Sequence, residues 1–113
     1  MSFTVYGKEF LLTNAVAELT LGLGTNEALL IASATATNTD TTVRTLSVNF
    51  ASGGAAAATG NLIEDARTLP INTATNTALS GKSLKPGGKI YAGSDVTSVV
   101  VLSITGTIVP QTA

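Results

Sequence analysis

The chain has no cysteine and no histidine. The first absence excludes disulfides and thiolate metal sites. The second removes the commonest general base, the usual zinc ligand and the main side chain that titrates near neutral pH. Tryptophan is also missing, and only 4% of the 113 residues are aromatic. Charge is scarce at 12%, with six basic and seven acidic residues and a net charge of −1. That balance lacks the basic footprint a nucleic-acid partner requires. No apolar run approaches the length that spans a bilayer, so no membrane partner is expected. The opening residues, Met1 to Lys8, lack the basic region and continuous apolar run of a secretory leader. They predict a soluble chain made in a cytoplasm.

What is present is 44% apolar residues, much of it alanine, together with abundant threonine. Threonine fits a pleated, half-exposed surface. Large core residues are few, so a thin core of Leu, Ile and Val is expected. A length of 113 residues suits one domain.

The periodicity is that of strands. Ala15 to Leu23 alternates, with Ala15, Ala17, Leu19, Leu21 and Leu23 on one face, and Gly22 and Gly24 oppose a helix there. Ala28 to Thr37 sets Leu29, Ile31 and Ser33 against Ala28, Leu30, Ala32, Ala34 and Ala36. Thr42 to Phe50 sets Leu46, Val48 and Phe50 inward and Thr45, Ser47 and Asn49 outward. Asn38-Thr39-Asp40-Thr41 between these two runs has Asx-turn chemistry, which predicts a hairpin. Ala51 to Gly60 is a small-residue loop with room for one helical turn at Ala55 to Ala58, Asn61 to Leu69 a strand ended by Pro70, and Ile71 to Asn76 an irregular polar stretch. Lys85-Pro86-Gly87-Gly88 is a turn before a short strand, Lys89 to Gly93. A second turn at Gly93-Ser94-Asp95 leads to a long strand from Val96 to Val109. In that last strand Val100, Leu102, Ile104 and Ile108 share a side, and Gly106 interrupts the row. A glycine there predicts a bulge, a kink or a close backbone approach. The fold expected is all-β: an antiparallel β-sandwich or jelly-roll-like single domain over residues 15–113, preceded by an N-terminal arm over residues 1–14.

Catalytic and binding patterns fail one by one. Gly53-Gly54 to Gly60 lacks the Gly-Lys-Ser/Thr end of a phosphate loop. Glu64 and Asp65 are neighbours on a strand, so they point to opposite faces and cannot flank one bond; both read as surface residues. Asn38, Asp40 and Thr42 alternate oxygen-bearing side chains but lack the glycine and bidentate Glu of a calcium loop. Ser80 and Lys82, or Ser83 and Lys85, sit in a flexible loop, and a nucleophile needs rigid support. No enzyme activity, cofactor or metal is expected. Two sets of contact residues remain. Phe3, Val5, Tyr6, Phe10, Leu11 and Leu12 give the arm much apolar surface, suited either to docking on a neighbouring subunit or to folding back as an edge strand. Lys82, Lys85, Lys89 and Tyr91 surround the Pro-Gly-Gly turn as exposed loop contacts. A carbohydrate-binding or adhesin-like module would want an exposed aromatic row, for which only Tyr91 offers itself.

The passage Leu79 to Ala92 (Leu-Ser-Gly-Lys-Ser-Leu-Lys-Pro-Gly-Gly-Lys-Ile-Tyr-Ala), followed by the Val-rich run Val99 to Val109, resembles small virion proteins of tailed bacteriophages. Glu27 to Asn38 followed by Thr42 to Phe50 is similar to the strand–turn–strand unit of that family. Gly88-Lys89 stands where the family often has Gly-Asp. The resemblance runs over roughly residues 15–109. It implies a non-enzymatic β-sandwich protein present in many copies on a virion and made in a bacterial host's cytoplasm. Its partners would be the major capsid protein or connector and tail proteins, with self-association, a trimer in decoration proteins of this kind. The roles implied are capsid decoration first and a head–tail connector, tail or fibre position second.

Overall fold

The computed structural model describes residues 3–111. Nine strands, β1 (Thr4–Leu11), β2 (Ala17–Glu18), β3 (Glu27–Asn38), β4 (Arg44–Ala51), β5 (Leu62–Leu69), β6 (Thr73–Asn76), β7 (Ser83–Leu84), β8 (Lys89–Ser94) and β9 (Val100–Pro110), form two antiparallel sheets. One runs β1-β9-β3-β6, with β7 also on β3; the other runs β2-β8-β4-β5. Their inner faces pack against each other as an all-β sandwich.

β9 is the central strand of the larger sheet, paired with β1 on one side and β3 on the other. Val100, Leu102 and Ile104 are fully buried, as the alternation of the sequence predicts, and Ile108 packs against their cluster. Leu29, Ile31, Ala34 and Ala36 of β3 join them, facing Leu46, Val48, Leu69 and Ile90 of the other sheet.

β3 departs from the strict alternation expected of it. Leu29 and Ile31 are buried, and so are Ala34, Ala36 and Asn38, which have the opposite parity. A bulge between Ile31 and Ser33 absorbs the extra residue and flips the phase. The bulge lies beside Gly106, the partner of Ile31. A Cβ on Gly106 would collide with the main-chain carbonyl of Leu30. The interrupting glycine therefore marks a close backbone approach, and the bulge itself sits on the neighbouring strand.

The hairpin expected between residues 28–37 and 42–50 does not form. β3 and β4 lie in different sheets, and the segment between them arches across the sandwich. Both sides of β3 are already occupied, by β9 and by β6 with β7. Asn38 shapes the arch from within. Its buried amide donates to the Thr42 carbonyl at 2.9 Å and the Leu69 carbonyl at 3.1 Å, and its Oδ1 accepts the Asp40 N–H at 2.9 Å.

Other boundaries also move. The strand expected over Ala15 to Leu23 is regular only at Ala17–Glu18, where both residues are exposed. Leu19 and Leu21 do turn inward, but as a covering segment along the open side of the sandwich. Residues 73–76, read as irregular, add a strand to β3. β8 continues through Gly93 to Ser94, and Val96 to Val99 belong to the turn before β9. The helical turn allowed at Ala55 to Ala58 is instead a single 3-10 turn at Thr59–Asn61.

Candidate interaction surfaces

Residues 4–11, expected as part of an arm, form an edge strand of the domain's own sheet, in unbroken register from Thr4 opposite Ile108 to Leu11 opposite Val101. The strand divides the six apolar candidates by face. Tyr6 and Leu12 are buried in the core and Phe10 packs against it. Phe3, Val5 and Leu11 stay exposed. The Tyr6 hydroxyl donates to the Leu21 carbonyl at 2.7 Å, and burial pushes its pKa above the ordinary value. The Lys8 ammonium donates to the Thr20 carbonyl at 2.6 Å and lies 5.5 Å from the Phe10 ring centre. These contacts fasten the 19–23 segment to β1.

The outer face of the five-stranded sheet follows from its register. Val5, Gly7, Glu9 and Leu11 of β1 line up with Val101, Ser103, Thr105 and Thr107 of β9. Leu30, Ser33, Thr35 and Thr37 of β3 continue the rows. Ala74, Asn76 and Ser83 complete the far edge. Glu9 is the single charged side chain among these outward strand positions.

Each of the four loop candidates has its own local partner or setting. Lys82 is half-buried, with its ammonium 5.7 Å from the Phe50 ring centre. Lys85 is exposed within the turn, where Gly88 N–H bonds the Lys85 carbonyl at 2.9 Å and Gly87 adopts φ +81°, the geometry its Pro-Gly pair favours. Lys89 lies on β8, 3.8 Å from the Glu18 carboxylate. The Tyr91 hydroxyl donates to the Ala55 carbonyl at 3.2 Å, and the ring is half-buried. A groove of about 450 Å³ separates residues 18–25 from Gly87–Lys89, with Leu19 and Leu21 among its walls.

Two polar positions escape simple alternation, and a third, Asp40, serves the turn between β3 and β4. Glu64 is buried, contrary to its reading as a surface residue. Its Oε2 accepts from Arg67 at 2.7 Å and from the Ala78 N–H at 3.0 Å. The register shift between Leu46 and Val48 sets it opposite the buried Val48. Asn49, expected outside, is covered by the 51–61 loop, and its amide donates to the Ala58 carbonyl and Asn61 Oδ1. Asp40 spends its oxygens on Arg44 and on the Thr41 N–H. The Arg44 guanidinium, then the Thr41 N–H, hold the Asp40 carboxyl below its ordinary pKa. Among the described residues no group of three acids gathers as a metal site. No family model and no curated protein matches the chain.

Proposed function

We propose that this protein is a non-enzymatic structural component of a tailed-phage virion, bound in many copies to the head as a decoration protein, with a connector, tail or fibre position as the second role. One observation carries this reading beyond the resemblance over roughly residues 15–109: the outer face of the five-stranded sheet presents Thr, Ser, Val and Leu with a single charge, Glu9. Such a face meets another protein surface without the desolvation cost of many ions. Many copies on a shell multiply weak contacts, so each can be modest.

The test is cryo-electron imaging and protein identification on particles from the phage that encodes the chain. Density for the sandwich at symmetry-related positions on the head supports the reading. A chain absent from purified particles overturns it. Deleting residues 1–12 would not discriminate, because it removes β1 and the core residue Tyr6. Substitution of the exposed Val5 and Leu11 by Lys leaves the core intact and weakens attachment if this face is used.

A further inference from the structure

Residues 19–23 run along the open side of the sandwich between two fixed ends. Before them, Ala17 and Glu18 pair with β8. After them, Gly24 and Glu27 close a turn: Glu27 Oε1 accepts the Gly24 N–H at 2.6 Å, and the Glu27 N–H donates to the Gly24 carbonyl at 3.2 Å. Between these ends the main chain has few ties. The Leu19 N–H donates to the Ile90 carbonyl at 2.8 Å. Residues 20–23 belong to no strand and, among the described residues, make no hydrogen bond from main chain to main chain. Two side chains of β1 hold them instead. The Tyr6 hydroxyl reaches the Leu21 carbonyl in a buried setting, and the Lys8 ammonium reaches the Thr20 carbonyl near solvent. Apolar burial supplies the rest: Leu19 and Leu21 belong to the core cluster, and Leu23 packs against it. The groove of about 450 Å³ between this segment and Gly87–Lys89 leaves it room to move.

We infer that residues 19–23 are a strap that opens and closes the side of the sandwich as a unit separate from both sheets, with the Tyr6 hydroxyl as its latch. Local openings draw on segments with few main-chain hydrogen bonds, while laddered strands stay closed until the whole domain unfolds. Lifting the strap breaks the Leu19 main-chain bond and the two bonds from β1 side chains. The ladders of β1 with β9 and of β8 with β4 remain whole. Tyr6 is the latch rather than Lys8, because its bond is buried and that of Lys8 is exposed to competing water. Opening brings the buried Leu19 and Leu21 to the surface. The open form is therefore a minor one, on the order of one molecule in 10² to 10⁴. When open, the strap joins the groove to the space that Leu19 and Leu21 occupy in the closed form. The strap is a property of the free protein and does not depend on the virion reading.

Native-state hydrogen exchange on the unmodified full chain, in a series of urea concentrations below the unfolding transition, tests the strap. The Leu19 amide is expected to exchange at least about tenfold faster than the amides of the central strand β9. Its rate should depend little on urea, because urea sensitivity scales with the surface exposed and the strap exposes little. The β1 amides bonded to β9 should keep the protection of β9. Tyr6→Phe is expected to speed exchange at Leu19 about fivefold, the worth of one typical hydrogen bond. The chain's lack of cysteine supplies a second arm. In Leu21→Cys the single thiol sits at a buried position, so a thiol reagent reaches it only when the strap lifts. Labelling is expected to run ahead of that variant's global unfolding, followed by circular dichroism, and to show the same weak dependence on urea. Equal protection of Leu19 and β9, exchange of β1 in step with Leu19, no response to Tyr6→Phe, or labelling of Leu21→Cys only at the rate of global unfolding would each overturn the proposal.

Discussion

Asn38, at the end of β3, donates its side-chain amide to the main-chain carbonyl of Leu69, the last residue of β5, at 3.1 Å. One buried side chain thereby ties an inner strand of one sheet to the edge of the other. Asn38→Ala leaves the Leu69 carbonyl without this donor and removes the bonds to Thr42 and Asp40. A loss of about 2–3 kcal/mol is expected, since an unsatisfied buried polar group costs ~1–3 kcal/mol. Urea denaturation followed by circular dichroism measures it. An unchanged midpoint would show that the arch holds without the amide.

Two glycines on neighbouring strands, Gly106 of β9 and Gly7 of β1, should behave in opposite ways. Gly106→Ala forces a methyl group into the Leu30 carbonyl, a main-chain atom that moves only with its strand. Overpacking of that kind costs about 1–3 kcal/mol. Gly7→Ala meets open space, and its effect should stay within about 0.5 kcal/mol, as for ordinary surface changes. Thermal melts of the two variants, made at low protein concentration, test the contrast.

The Tyr6 pKa is raised by burial, so its neutral form is favoured in the folded state. Its contribution is fully present below the unfolded pKa near 10 and is lost as pH rises through the folded value. Stability should decline above pH ~10. Tyr6→Phe should flatten that decline while lowering stability at neutral pH by about 1 kcal/mol, the net worth of a typical hydrogen bond. Denaturant titrations at neutral and alkaline pH separate the two effects.

Asp40 moves the other way. Its pKa is lowered in the folded state, first by the hydrogen bond from Arg44 and then by the Thr41 N–H. That contribution is present above the unfolded pKa, about 3.9, and is lost as pH falls through the folded value. Asp40→Asn should reduce the acid sensitivity of the melting temperature below pH ~4. The effect is expected to be small, because the pair lies near solvent. A parallel shift at all pH values would place the role of Asp40 in the turn rather than in its charge.

The all-β class, the inward row of Val100, Leu102 and Ile104, the Pro-Gly-Gly turn and the small-residue contact at Gly106 were legible in the amino-acid order. Each rests on local signals: side-chain alternation, a turn dipeptide, or a missing side chain. Strand partnership is not such a signal. Alternation says that β3 and β4 each have a core face, but the same pattern serves strands that lie side by side and strands that face each other across the core. The choice fell to sheet edges occupied by β9, β6 and β7, all distant in sequence, and to the Asn38 arch. The bulge that turns Ala34 and Ala36 inward, and the shift that sets Glu64 opposite Val48, likewise depend on the partner strand's register. The candidate surface shows the same division. The apolar content of residues 3–12 is visible in the sequence, whereas pairing with β9 decides that Tyr6 and Leu12 serve the core and Phe3, Val5 and Leu11 remain outside it. Composition and local pattern set the class of fold; long-range pairing, a cooperative property of strands distant in the chain, set which residues were left at the surface.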